Sequence, residues 1–247
     1  MIDTGLDEKL IIVAGATGGI GSGVARRLDQ TGARLLLVGR SAEKLEELNQ
    51  SLDQDALTYV VDFEKTDELK NVFVFLKEHG LKADGLVFTA GVCADIPIKA
   101  VSPDEMERNM RVNYFAFVEL SRHFASKRYS NDDGSIVVMS SIASLMCEKS
   151  MSQYAASKAA VNAVTSTMAK EFATRHIRVN ALAPAFVDTE MAWGTAESMD
   201  NFEEYLNRRM PYGVIPVEEI AMWTEFLLSD VSGHITGETI RISGGMY

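Results

Sequence analysis

Cysteine is scarce: the 247 residues contain only Cys93 and Cys147, with no CxxC spacing, which excludes a disulfide framework and a thiolate metal site. The four histidines, His79, His123, His176 and His234, are scattered. No metal site is legible, and all six residues read as structural or incidental. Basic charge is also in deficit: 24 Lys and Arg face 35 Asp and Glu, a formal net charge of −11. That balance opposes nucleic-acid and anionic-membrane partners, both of which attract basic surfaces. No apolar run is long enough to span a bilayer, and residues 1–8 are too short and acidic for a secretory leader, so the expected location is cytoplasmic. Repeats, low-complexity tracts and linkers are missing as well. With 47% hydrophobic residues the whole chain, 1–247, is expected to fold as one globular domain.

What is present alternates. Short aliphatic or β-branched runs at 10–14, 34–38, 57–61, 85–89, 135–140, 177–182 and 238–242 read as seven strands. Helical patterns lie between them. Ile20, Val24 and Leu28 recur at fourfold spacing ahead of Gly32, a candidate left-handed cap. Ser102, Pro103 and Glu105 open a helix that runs past Asn113. Another helix is expected over 152–175, with Val161, Val164, Met168 and Phe172 on one side and Ala156, Ala159, Ala160 and Ala163 as small packing contacts. Strand, crossover helix and strand in repetition implies an α/β fold, a doubly wound seven-stranded parallel sheet with helices on both faces. The longest irregular piece is 188–211.

The first strand runs directly into Gly15, Ala16, Thr17, Gly18, Gly19, Ile20 and Gly21, where a helix begins. Exposed amides at a helix N-terminus hold a pyrophosphate, and glycine lets the main chain turn sharply and approach it. A tight strand-to-helix turn without ligand would look the same; the flanking elements favour the nucleotide. The second strand ends at Gly39 and Arg40, where dinucleotide folds usually place an acid on the ribose diol. Here a forked cation stands instead, suited to a 2′-phosphate, so NADP(H) is favoured and NAD(H) stays open. Arg40 could instead be a solvated charge, the less favoured reading, and Ser41 caps the next helix in either case. Asp62, with Phe63 after it at the end of the third strand, could accept from adenine or equally cap the helix after it.

Tyr154 and Lys158 stand four apart on the long helix, on one face and one turn apart. Bringing a phenol from a pKa of about 10 to about 7 takes roughly 4 kcal/mol. A cation about 4 Å away at an effective dielectric of about 20 is of that order, and phenolate desolvation opposes it. Thirteen residues before Tyr154, Ser141 ends the fifth strand, where parallel sheets bind ligands and a hydroxyl could reach a substrate oxygen. Ser140 is its immediate competitor.

Together these residues resemble the short-chain dehydrogenases/reductases, from about Lys9 to Gly245. The glycine turn matches Gly15, Gly19 and Gly21, and the family's catalytic asparagine, serine, tyrosine and lysine match Asn113, Ser141, Tyr154 and Lys158. The resemblance implies a Rossmann-type fold and hydride transfer between a nicotinamide and a carbonyl or alcohol. It implies that Tyr154 protonates the carbonyl, Ser141 orients it, Lys158 also binds the nicotinamide ribose, and Asn113 holds a water in a proton relay. It further assigns Pro184, Val187 and Thr189 to the carboxamide, Ala90 and Gly91 to the cofactor, and Ile235, Thr236, Gly237, Gly244 and Gly245 to a C-terminal signature. Three positions depart from the family pattern: Ala14 replaces a threonine, Thr89 an asparagine and Ala185 a glycine. Homotetramers, or homodimers, are the implied assembly.

Met191, Trp193, Met199, Phe202, Tyr205, Leu206 and Met210 occupy the segment that closes over substrate in similar proteins, which suggests an apolar substrate. Phe202, Tyr205, Leu206 and Arg209 also have ordinary amphipathic spacing and could simply cover the core. Met146 and Cys147 could face the same pocket. In length and pattern the chain is most similar to 3-oxoacyl-carrier-protein reductases, and Lys127, Arg128 and Arg175 could receive an acidic acyl carrier protein. Sugar, polyol and steroid dehydrogenases share the same core pattern. A non-catalytic nucleotide-binding regulator is the alternative of another class.

Overall fold

In a computed structural model, residues 4–196 and 202–246 are described, apart from the side chains of Glu203 and Tyr205. The apolar run Leu10–Ala14 forms β1, buried at all five positions, as a strand covered on both faces requires. It is followed by β2 (Arg34–Gly39), β3 (Leu57–Val60), β4 (Ala83–Phe88), β5 (Ser130–Met139), β6 (Arg178–Pro184) and β7 (Thr239–Ile242). All pair in parallel, in the order β3-β2-β1-β4-β5-β6-β7. β5 begins five residues before the expected start because Ser130 already pairs with Ala83, ahead of a register shift.

Alternating strand residues divide the core in two. Leu10, Ile12, Leu36 and Val38 pack on one face against α3 (Lys70–Glu78), α5 (Ala116–Phe124) and α6 (Ser152–Glu171). Ile11, Val13, Leu35 and Leu37 pack on the other against α1 (Gly19–Asp29), α2 (Ala42–Gln50) and α9 (Val217–Leu228). Arg178 ties the second layer down: its buried guanidinium donates to the Leu227, Leu228 and Ser229 carbonyls at the end of α9, where the helix dipole favours a cation.

Three further helices shape the ligand end: α4 (Pro103–Met110), α7 (Glu190–Ala196) and α8 (Phe202–Arg209). Ser102 caps α4, accepting from the Glu105 amide at 3.2 Å. α4 runs into α5 through a π-helical turn, Arg111–Phe115, which widens the helix at Asn113. The helix expected over 152–175 stops at Glu171, and a 3₁₀ turn, Ala173–Arg175, completes it before left-handed His176. Its Val161 and Met168 are buried as expected, whereas Ala156, Ala159 and Ala163 face outward on the single chain rather than packing within it. Gly32 is left-handed, two residues beyond the α1 cap residue Gln30.

Candidate active site

In this strand order the chain leaves β1 towards one edge and returns at β4, so the crevice between their C-terminal ends is the natural ligand site. The glycine turn lies there. Gly15 is left-handed, and a Cβ on it would stand 2.5 Å from the Ala90 amide. A Cβ on Gly21 would strike the Gly15 carbonyl. Thr89 closes the joint: its hydroxyl is 3.1 Å from both the Ala14 and Gly15 carbonyls, so this departure from the family pattern has a local role. α1 opens at Gly18 with neither a side-chain cap nor an acid in its first turn, leaving its leading amides for an anion. The residues present fit a pyrophosphate.

At the β2 corner, Arg40 is exposed and engaged by no hydrogen bond or ion pair among the described residues, while Ser41 accepts from the Lys44 amide at 3.2 Å and caps α2. Asp62 accepts from the Glu64 amide at 3.0 Å and closes a local turn; it does not cap the helix after it, because the 3₁₀ turn Thr66–Glu68 starts without a side-chain cap. The Phe63 ring is buried edge-on to Phe88 and is not offered to a ligand; only its backbone could be.

Ser141, Tyr154 and Lys158 converge on one cavity of about 740 Å³. Ser141 hydrogen-bonds the Tyr154 phenol and takes the Ala143 amide at 3.1 Å. Its neighbour Ser140 also borders the cavity, but its hydroxyl lies 2.5 Å from the Asn162 carboxamide oxygen. Lys158 is buried; its Nζ donates to the Met139 carbonyl at 2.7 Å and sits 5.8 Å from the centre of the Tyr154 ring. Burial lowers the Lys158 pKa to about 8. It also pushes the half-buried Tyr154 phenol above its usual range, with Cys93 adding to the rise and the Ser141 hydrogen bond opposing it. In the protein alone the lysine therefore does not create a phenolate, and Tyr154 is held protonated.

Asn113, fully buried in the π-helical turn, uses its carboxamide as a brace. The oxygen accepts from the Val92 amide at 2.8 Å, and the nitrogen lies 3.0 Å from the Val92 carbonyl and 2.9 Å from the Ser157 hydroxyl. Pro184, Val187 and Thr189 line the cavity, and the Thr189 hydroxyl accepts from the Ala192 amide at 3.3 Å to start α7. A Cβ on Gly19 would meet the Thr189 methyl at 2.7 Å, so this segment lies directly on the glycine turn.

A family model described as “Enoyl-(Acyl carrier protein) reductase” matches residues 15–247. The chain is 32% identical over 247 residues to the 3-oxoacyl-[acyl-carrier-protein] reductase of Rickettsia bellii (strain RML369-C), covering 100% of this chain and 99% of the relative. It is 30% identical over 254 residues to the acetoacetyl-CoA reductase of Synechocystis sp. (strain ATCC 27184 / PCC 6803 / Kazusa), covering 100% of both. A solved short-chain dehydrogenase/reductase from Serratia marcescens BCRC 10948 superposes with a TM-score of 0.89 at 28% identity, over 97% of this chain and 98% of that one. The chain belongs to the short-chain dehydrogenase/reductase family. It is thus an oxidoreductase acting on carbonyl or alcohol groups with a nicotinamide cofactor.

Beyond the glycine turn and the serine, tyrosine and lysine, this short-chain dehydrogenase/reductase builds its cavity from residues without motif value. Met139, Ile142, Met151, Phe186 and Met246 supply apolar wall, and Cys93 and Asp95 lie on it. Burial, with Asp95 nearby, pushes the Cys93 thiol up to about 12. Of the expected lid, Met191, Phe202 and Met210 line the cavity. Trp193 packs on Phe186 with ring centres 5.1 Å apart, and Leu206 packs against the core. Met199 and the Tyr205 side chain lie outside the described residues. Met146 faces the cavity; Cys147 does not and is exposed. Arg175 is no free cation: it donates to Asp132 at 2.8 Å and to the Ser130 and Asn131 carbonyls. With Lys127, 3.8 Å from Asp132, it sits at the start of β5, about 25 Å along the sheet from Ser141. Among the described residues no helix is long and apolar enough to cross a membrane, and no cluster suited to a metal ion occurs.

Proposed function

We propose that this protein is an NADPH-dependent ketone reductase acting on a 3-oxoacyl thioester. The Ser141–Tyr154 hydrogen bond beside buried Lys158, at the wall of a largely apolar cavity, carries the reading. The Rickettsia and Synechocystis relatives are named for acyl thioester substrates, which supports the substrate class. Amides at the start of α1 would hold the pyrophosphate, Arg40 and Ser41 the 2′-phosphate, and Asp62 with the Phe63 backbone the adenine. Ala90 and Gly91 would border the nicotinamide ribose, and Pro184, Val187 and Thr189 the carboxamide.

When bound, the nicotinamide would supply a hydride to the carbonyl carbon. Ser141 donates a hydrogen bond to the carbonyl oxygen and fixes its position. Tyr154, protonated in the resting protein, delivers its proton to that oxygen as charge develops. Lys158 binds the ribose and, as a cation, stabilises the phenolate left behind. The Asn113 carboxamide is committed to Val92 and Ser157, so a relay water would be held by its main-chain carbonyl, in the widened turn.

Absorbance at 340 nm with NADPH and a panel of acetoacetyl thioesters, simple ketones and an enoyl thioester tests the reading. Oxo substrates are expected to be consumed and the enoyl compound not. Tyr154→Phe should lower kcat at least about 100-fold with NADPH affinity retained. Tight NADPH binding without turnover of any ketone would make the protein a nucleotide-binding regulator. For Arg40→Ala, NADPH affinity should fall roughly tenfold with NADH affinity unchanged. If NADPH affinity is untouched and NADH binds as well, the 2′-phosphate contact is wrong.

A further inference from the structure

The connection from Gly91 to Pro97, between β4 and α4, is fastened at every second residue. Val92 is held at both its amide and carbonyl by Asn113, the Ala94 carbonyl accepts from Gln153 at 2.7 Å, and the Ile96 amide donates to the Ser150 carbonyl at 2.8 Å. The intervening residues, Gly91, Cys93, Asp95 and Pro97, all line the cavity. This is the alternation of an extended chain, in which same-side residues follow at about 6.6 Å. The row starts at Lys158, since a Cβ on Gly91 would lie 3.5 Å from its Nζ. Cys93 is one step out and Asp95 two.

Asp95 is out of keeping with its surroundings. Its Oδ1 is enclosed and accepts no hydrogen bond, and no donor among the described residues reaches its other oxygen. Burial accordingly raises its pKa. The cavity as a whole is largely apolar, with Met139, Ile142 and Phe186 in its wall, and Lys149 and Ser150, which line it beside the Ile96 contact, make no hydrogen bond to the Asp95 carboxylate. A carboxylate in such a wall carries a desolvation penalty that nothing on the protein side offsets, and a donor arriving in the cavity would offset it.

We propose that Asp95 is a specificity-determining residue that accepts a hydrogen bond from an N–H or O–H group of the substrate. The reacting carbonyl meets the Tyr154 phenol, which lies close enough to Cys93 to feel its thiol, so a donor that reaches Asp95 stands about one step of the row, about 7 Å, from that carbonyl. In a thioester this is the reach of the first amide N–H on the thiol arm; in another ketone a hydroxyl at that distance serves. The inference rests on the carbonyl-reductase reading for the position of the reacting oxygen.

Two matched pairs test it, each differing only in the donor. The first is S-acetoacetyl-N-acetylcysteamine against its oxygen ester analogue, S-acetoacetyl-2-acetoxyethanethiol; the second is 7-hydroxyheptan-2-one against its methyl ether. Kd on the NADP⁺-loaded protein, by calorimetry, and kcat/KM with NADPH are measured for wild type, Asp95→Ala and Asp95→Asn. Wild type should favour the donor-bearing member of at least one pair by roughly tenfold or more, and which pair responds separates amide from hydroxyl. Asp95→Ala should bring that ratio to within about twofold of unity, and Asp95→Asn should fall between. An equal ratio in wild type and Asp95→Ala, for both pairs, overturns the proposal. Because Kd needs no turnover, a donor preference that depends on Asp95 without any ketone reduction would sink the reductase reading and leave the contact standing. Retained NADPH affinity and thermal midpoint in both variants identify the effect as local.

Discussion

Lys158 and Tyr154 move in opposite directions on the pKa scale for one reason: burial disfavours the charged form of each. For Lys158 this has a thermodynamic consequence. Its pKa in the fold, about 8, lies below the ordinary 10.5, so the unfolded chain binds more protons between those values. Stability therefore rises with pH across that window, and below pH 8 the residue costs the fold on the order of 3 kcal/mol. Lys158→Met should raise the melting temperature of the cofactor-free protein at pH 7 by about 5 °C while abolishing turnover; the Met139 carbonyl, deprived of its donor, offsets part of the gain. The difference should shrink as the pH approaches 10.5, and calorimetric scans showing a pH-independent gap would refute the burial argument. The tyrosine and lysine could be read from their spacing of four. Two neighbouring serines could not be ranked that way, because it is the Asn162 contact that engages Ser140. Asp95 and Cys93 were invisible in sequence, since nothing in an isolated acid or thiol says that its segment is extended and fastened from behind.

The strand-to-helix turn of β1 and α1 was legible as an element because its glycines sit between an apolar strand and an amphipathic helix. Their spacing does not show why each is needed. At Gly21 a side chain would have to displace the Gly15 backbone and would also meet the Thr89 hydroxyl at 2.8 Å. Gly21→Ala is expected to destabilise by about 1–3 kcal/mol, lowering the melting temperature by several degrees, and to weaken NADPH binding more than tenfold. Gly194→Ala in α7, where a Cβ meets nothing within 4 Å, should be neutral or slightly stabilising by the same measurements. Equal effects from the two would contradict the close-approach argument. Caps such as Ser41 and Ser102 were legible from composition. The π-helical turn was not: the contacts of its Asn113 run to Val92 and Ser157, residues distant in sequence. The early stop of α6 at Glu171 was missed for a related reason: the apolar periodicity continues into Phe172, which still packs on the core after the α-helix has ended.

Across the whole molecule, strand and helix alternation was enough to anticipate a doubly wound parallel sheet, since parallel neighbours need long crossovers. The strand order and the reversal between β1 and β4 required coordinates. That reversal brings the glycine turn, the Tyr154 helix and the segment around Thr189 to one end of the sheet, and it leaves Lys127 and Arg175 at the other. Composition identified the cations without showing that Arg175 is spent on holding the start of β5. The same convergence encloses Cys93. With its thiol pushed up to about 12, on the order of one molecule in a hundred thousand carries the thiolate at neutral pH. Peroxides and electrophiles react with the anion, so this sulfur, although it faces the cavity, offers them little purchase.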